Sequence, residues 1–176
     1  MEYAEGRTPR LRAALITALV LIGGLAMTFA SPSPAHAAGG CAGKTYVRTT
    51  GNGYASAGVD ACFSVNDHDY SADTYITFTS SNPSQWEYCQ VTISVYDETA
   101  KRELAHANYD CIAQARANSS NARVGPTRFH TDPCDFQPSS LKGHTFTAHV
   151  YFVGGWQDRT INTGLLQSPA ADPYPC

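Results

Sequence analysis

The sequence predicts an all-β protein, a small antiparallel β-sandwich with an immunoglobulin-like layout, exported from the cell and stapled by three disulfides. Apolar and polar residues alternate with a period of two over much of the chain beyond residue 43, which is typical of strands that bury one face. Clusters of Gly, Pro, Asn, Asp and Ser separate these runs. All six cysteines follow an N-terminal segment with the composition of an export signal.

Four runs show the alternation clearly enough to be predicted as half-buried strands. They are residues 59–65, 75–79, 90–95 and 145–152. With the turn clusters between them, the chain has room for seven or eight short strands, the number expected of an immunoglobulin-like sandwich. Residues 99–107 could be read as a helix, but a hairpin turn followed by a strand explains them better. The tail from residue 167 onward has no regular pattern.

One hairpin can be placed in register from the sequence alone. If its turn is centred near residue 100, residues whose numbers add up to 200 face each other, and the apolar residues of both strands then share one face. Cys89 meets Cys111 in this register. Directly opposed residues have a Cα separation that a disulfide tolerates, so we predict the bridge Cys89–Cys111.

The other two bridges are predicted on weaker grounds. A turn at residues 51–53 brings Cys41 within about one register step of Cys62, although Cys62 then lies on the outer face of its strand. Cys134 is left to pair with Cys176, which would tie down the C-terminal tail. No cysteine or histidine spacing typical of a zinc cluster occurs, and no cofactor is predicted.

Residues 1–37 are predicted to be a signal peptide, and residues 38–176 a single secreted domain. Arg7, Arg10 and Arg12 precede an apolar stretch at residues 13–27, and Ala35-His36-Ala37 has the small-x-small form of a cleavage site. Lipidation of Cys41 is the alternative, but the chain lacks the bulky aliphatic residue three positions earlier. No later apolar run is long enough to span a bilayer.

The charge of the mature chain limits its partners. Nine basic and 13 acidic side chains remain after cleavage, a net charge of −4, and the basic residues are not clustered. Nucleic acid and anionic membranes are therefore not expected as partners. We expect an extracellular monomer that binds a protein or a cell-wall or environmental polysaccharide.

A weak calcium site is one candidate in the loop that precedes the second predicted strand. Asp67, Asp69 and Asp73 offer carboxylates at alternate positions, as calcium loops do. The loop lacks the glycine of an EF-hand, and Phe78 stands where the bidentate glutamate belongs. A charged turn is the alternative.

No catalytic residue is predicted. The hairpin register places Ser94 opposite His106, but the carboxylate on that face, Asp110, would lie about 13 Å from the histidine along the strand. His130 and Asp132 lie close in sequence without an identifiable nucleophile. A small hydrolase is therefore the least favoured of the functions considered.

A binding role is favoured because aromatic residues are plentiful near predicted turns and on outer strand positions. Trp86, Tyr88 and Trp156 are the candidate ligand-binding residues, since exposed aromatic rings stack on sugars or anchor protein contacts. The alternative is that the tryptophans cover the edges of the sandwich. A secreted protease inhibitor or toxin-like effector is a second hypothesis, with residues 117–127 as the presented loop.

The leader resembles those of high-GC Gram-positive bacteria. The mature part is similar in general layout to the small, cysteine-paired, β-rich proteins that such bacteria export. The reactive-site pattern of the secreted subtilisin-inhibitor family is not found, so no residue role is taken from that family.

Non-reducing peptide mapping of the protein recovered from culture medium tests the leader and the bridges together. We expect an N-terminus at Ala38 and a peptide in which Cys89 is linked to Cys111. A lipid on Cys41 would contradict the predicted cleavage site, and free thiols at residues 89 and 111 would contradict the hairpin register.

Overall fold

A computed structural model describes residues 39–49, 53–65, 69–130 and 141–171. Strands make up most of this part of the chain. They are β1 (Gly39–Cys41), β2 (Thr45–Arg48), β3 (Ala55–Val65), β4 (Asp69–Ser80), β5 (Trp86–Asp97), β6 (Arg102–Asp110), β7 (Ala122–His130), β8 (Phe146–Trp156) and β9 (Arg159–Gln167). A 3-10 turn (Pro83–Gln85) precedes β5, and a five-residue helix α1 (Ile112–Arg116) follows β6.

The strands form two antiparallel sheets, which confirms the all-β prediction. In sheet A, β1 and β2 both pair with β3, which is followed by β4 and β7. In sheet B the order is β6-β5-β8-β9. The chain passes between the sheets from β4 to β5, from β6 to β7 and from β7 to β8, so each sheet contains strands from both halves of the described sequence.

The core lies between the inner faces of the two sheets, where the apolar members of each alternating run are buried. Its largest fully buried side chains are Trp86, Trp156, Tyr70, Phe78, Phe146 and Phe152. The Phe78 ring meets the Trp86 indole edge to face, with 5.6 Å between centroids, and Tyr70 contacts Phe146 at 4.5 Å across the sandwich. Aromatic packing therefore joins the sheets.

The β5–β6 hairpin has the predicted register over most of its length. Ile93 faces Ala107 and Val95 faces Ala105, after which the register shifts so that Tyr96 faces Glu103. The turn before β6 has Lys101 at a φ of 53°, and residues 99–107 form turn and strand as expected. Beyond the other end of the pairing, Cys89 and Cys111 form the predicted disulfide, with a Cα separation of 5.0 Å.

The Cys41–Cys62 bridge is also confirmed. Its two residues are direct partners in the β1–β3 pairing and have a Cα separation of 4.0 Å. Cys62 is buried, with 5% of its surface exposed, although its position between polar residues predicted the outer face of the strand. The predicted Cys134–Cys176 bridge lies outside the described residues, as does the whole of the predicted signal peptide.

The segment after the hairpin differs from the prediction. Residues 117–127 were expected as a loop, but residues 122–127 belong to β7 and pair with β4. The remaining turn is attached to β4 as well, because the Asn118 amide donates to the Ser80 carbonyl at 3.1 Å. Helix α1 was not predicted, since one helical turn leaves no periodic signal. No helix among the described residues has the length and apolar character needed to cross a membrane.

Replacing Phe152 by alanine should remove a fully buried ring between the sheets. We expect the free energy of unfolding to fall by about 3–5 kcal/mol, because the variant loses the buried apolar surface of the ring and also leaves a cavity in its place. Urea denaturation measures this change. Val153→Ala, on the opposite side of the same strand, is the control and should cost well under half as much; equal effects would contradict the assignment of the two faces.

Candidate functional site

The outward side chains of sheet B form one surface, on which Tyr88, Tyr151 and Leu165 are exposed, whereas Ser94 and Thr147 near the β5–β6 turn are buried. Across the strands they lie in rows set by the pairing register. One row contains Asn108, Thr92, Tyr151 and Leu165, and the next contains His106, Ser94, His149 and Gln167. We call this surface the outer face of sheet B.

Tyr88 is the most exposed aromatic residue of β5 and lies on this face. Its Cα partner across the strands is Gly155, and a Cβ atom added at Gly155 would come within 2.2 Å of the tyrosine Cε1. The ring therefore lies over the glycine backbone, and its hydroxyl is 3.0 Å from the Thr160 Oγ1 on β9. Because the residue remains 43% exposed, it presents a positioned aromatic surface to solvent.

A second aromatic side chain lies farther along the same face. Tyr151 is 39% exposed and Leu165, opposite it on β9, is 64% exposed. Tyr151 is four residues from Gly155 on β8, so the two tyrosine positions are about 13 Å apart. Gln90 lies in the row between them. The Thr92–Asn108 pair lies in the row of Tyr151, and its hydroxyl donates to the amide oxygen at 2.7 Å.

The two tryptophans predicted to be on outer positions are in the core instead. Trp86 and Trp156 are both 0% exposed, so neither indole has a surface for a ligand in this structure. Trp156 is four residues from the inward-facing Phe152 on β8, so the alternation in the sequence already indicates that it points inward. Trp86 has the parity of the outward residues of β5, but a register shift between Trp86 and Tyr88 turns it inward.

Trp156 and Trp86 also differ in the hydrogen bonding of their indoles. The Trp156 Nε1 donates to the Asn82 carbonyl at 2.9 Å. The Trp86 Nε1 is buried and has no hydrogen-bond partner among the described residues.

At one end of the outer face, the Glu98 carboxylate joins the β5–β6 turn to β8 and β9. Its Oε1 accepts hydrogen bonds from Thr147 at 2.8 Å and Gln167 at 2.6 Å and contacts the His149 ring at 3.0 Å. Lys101 pairs with its Oε2 at 2.9 Å. Burial would raise the pKa of Glu98, but these partners outweigh it and hold the pKa below its ordinary value.

The neighbouring Asp97 has a similar structural role. Its carboxylate is fully buried and accepts hydrogen bonds from the Thr99 and Ala100 amides at 3.1 and 2.9 Å, while the His144 ring lies 2.8 Å away. Burial would raise the pKa of Asp97, yet these hydrogen bonds and the His144 charge lower it. The ionised form thus stabilises the turn.

The structure places a carboxylate between Ser94 and His106. The serine hydroxyl donates to Glu103 Oε2 at 2.7 Å, and the His106 Nδ1 lies 2.6 Å from Oε1 of the same carboxylate. Activation of a serine nucleophile requires the histidine to contact the hydroxyl and the acid to orient the histidine. Glu103 occupies the wrong position for that arrangement.

The described carboxylates of the predicted calcium loop form ion pairs. Asp73 binds Arg123, which raises the pKa of the guanidinium through hydrogen bonding and charge. Asp69 lies 2.9 Å from the His130 Nδ1 and 3.8 Å from Arg128. Asp67 and Asp132 lie outside the described residues.

Cys41, Cys62 and Asp60 bring three potential ligand atoms within 4.8 Å of one another. The two sulfurs form a disulfide, so they offer no thiolate to a metal.

Comparisons with known proteins do not assign this chain to a family. No protein-family model matches it, and no curated protein or solved structure shows significant similarity. Its function is therefore inferred from the chemistry of its own residues.

The stability of the protein should decrease in acid because Asp97 and Glu98 have lowered pKa values in the folded state. Their contribution is complete above the ordinary values of 3.8 and 4.5 and is lost as the pH falls below them. Asp97→Asn should cost about 1.5–3 kcal/mol at neutral pH and flatten this dependence, measured by urea denaturation from pH 7 to pH 3. Glu103→Gln, which removes an exposed carboxylate, is the control; an unchanged pH profile in Asp97→Asn would contradict the role of Asp97.

Proposed function

We propose that this protein is a secreted, non-catalytic binding module that recognises a polysaccharide through the outer face of sheet B. The observation that carries the proposal is the Tyr88 ring, supported by Gly155, tied to Thr160 and open to solvent. A ring already held in place loses little conformational freedom when a sugar stacks on it, which favours binding. The two disulfides support the export part of the proposal, because such bonds persist in oxidising compartments.

The surroundings of Tyr88 have the chemistry that a sugar chain requires. Sugar rings present apolar C–H faces to aromatic side chains and hydroxyl groups to polar ones. Gln90, Asn108 and Asn162 are exposed and supply amide donors and acceptors between and beside the two tyrosines. A protein partner would favour a more continuous apolar centre than this mixed polar face provides.

The other functions considered have less support from the structure. Ser94 and His106 are both engaged by Glu103, which disfavours a hydrolase at that position. An inhibitory loop at residues 117–127 is disfavoured because residues 122–127 belong to β7, which pairs with β4.

We further propose an immunoglobulin-like layout for the sandwich. The order β3-β4-β7 facing β6-β5-β8-β9 supports it, since immunoglobulin-like sandwiches pass between sheets in the same way. The Cys134–Cys176 bridge remains a prediction, for which the peptide mapping above is the test.

Binding of the exported protein to insoluble cell wall, chitin and cellulose tests the proposed function. We expect saturable binding to at least one of them. Tyr88→Ala should weaken binding about two- to tenfold, and Tyr88→Phe should retain most of it because the ring remains.

Tyr46→Ala is the matched control for the Tyr88 variant. Tyr46 is 67% exposed and lies over Gly58 in a similar way, but it is on sheet A. Absence of binding to all polysaccharides, or equal losses in the Tyr46 and Tyr88 variants, would overturn the proposal.

A further inference from the structure

A groove runs beside Tyr88 along the first residues of β5, where β6 has ended. It comprises two clefts of about 580 and 310 Å³, each of which is lined by Glu87. The larger lies between the 3-10 turn, the end of α1 and the β8–β9 turn, and includes Arg116 and Asp158. The smaller is bounded by Tyr88 and Asp110. Because Tyr88 and Gln90 both line the smaller cleft, the groove reaches the proposed sugar-binding face there.

The carboxylates of this groove differ from most others in the described part of the chain. Five carboxylates there form ion pairs with a basic or histidine side chain: Asp69, Asp73, Asp97, Glu98 and Glu103. Glu87, Asp110 and Asp158 have no such partner among the described residues, and all three line the groove. Of the described carboxylates, only Asp60 on sheet A shares this property.

Two of the three groove carboxylates, those of Glu87 and Asp110, are positioned by backbone amides, and all three remain able to bind a cation. Glu87 Oε1 accepts a hydrogen bond from the Asp158 amide at 3.2 Å, and Asp110 Oδ1 accepts one from the Ile112 amide at 2.8 Å. Arg116 is the one basic residue lining the clefts in the described part of the chain, and its Nε donates to the Trp86 carbonyl at 3.0 Å. The groove consequently has a net negative charge.

We propose that this groove extends the sugar-binding face and selects a polysaccharide that carries free amino groups. The inference rests on the proposed function and adds the class of ligand. Unpaired carboxylates lining a concave surface concentrate negative potential there, which attracts ammonium groups and repels acidic polysaccharides. The adjoining Tyr88 ring can stack on a sugar and attract an ammonium group over its face.

A basic peptide would satisfy the charges of the groove but would make no particular use of Tyr88. The continuity of the groove with that ring favours an amino polysaccharide, because one chain can then contact both. A peptide ligand is an outcome that the experiment must be able to reveal.

The experiment compares binding of the exported protein to chitosan and to chitin, which differ in whether the amine is free or acetylated. The comparison is made at about pH 5.5, where the sugar amine of chitosan is charged. We expect tighter binding to chitosan, and a preference that declines as salt is added, because screening weakens attraction between exposed charges.

The variant Glu87→Gln/Asp110→Asn/Asp158→Asn removes the three charges while keeping an acceptor oxygen at each backbone contact. Its preference for chitosan should fall by about two- to fivefold for each carboxylate removed, with little change in chitin binding. Asp60→Asn is the matched control, since Asp60 is also unpaired and accepts a hydrogen bond from the Gly43 amide. Thermal melting checks that each variant is folded, and Glu87→Gln alone replaces the triple variant if that variant unfolds.

The outcomes separate this inference from the proposed function. Equal binding to chitosan and chitin, or an unchanged preference in the groove variant, would overturn the inference and leave polysaccharide binding standing. Loss of binding to every polysaccharide would overturn the proposed function itself. Tight binding of polylysine that is insensitive to Tyr88→Ala would identify a basic polypeptide as the partner and also overturn the inference.

Discussion

The two-residue alternation of β5 is the constraint on which both the core and the candidate site depend. This strand pairs with β6 on one side and β8 on the other, so its inward and outward faces are fixed by two registers at once. Val91, Ile93 and Val95 point into the sandwich and are fully buried. The residues between them are consequently placed on the outer face, and a register slip would bury polar groups and expose the core together.

The bulge at the start of β5 modifies this alternation where the site begins. It turns Trp86 into the core while Tyr88 remains outside, so two aromatic residues of equal parity have different roles. Trp86 packs against Phe78 and contributes to the joining of the sheets. Tyr88 can lie across β8 because position 155 is glycine, and any larger residue would displace the ring. The same bulge therefore affects both the packing of the core, through Trp86, and the proposed sugar-binding face, through Tyr88.

Charge is distributed unevenly over the described surface. Asp97 and Glu98 are satisfied by hydrogen bonds and by basic or histidine side chains at the β5–β6 turn, where they hold strands of sheet B together. Glu87, Asp110 and Asp158 have backbone contacts at most and line the groove near the opposite end of the sheet. The first group stabilises the fold, and the second group is available to a ligand.

The sequence by itself determined the all-β class, the β5–β6 register and the Cys89–Cys111 and Cys41–Cys62 bridges. These features follow from local alternation and from residues directly opposed across neighbouring strands. The sequence also indicates that Trp156 points inward, because it is an even number of residues from the inward-facing Phe152 on the same strand. The burial of Trp86, by contrast, depends on a bulge whose position is set by pairing with β8, a strand some 60 residues away along the chain.

Only the tertiary structure decided which residues form the candidate site. The Tyr88 ring acquires its support from Gly155 and Thr160, and the groove collects carboxylates from β5, β6 and the β8–β9 turn. The position of the Glu103 carboxylate between Ser94 and His106 likewise depends on the register shift after Val95. Such contacts join residues distant in sequence through strand pairing, and a period-two pattern identifies the face of a residue without identifying its neighbours.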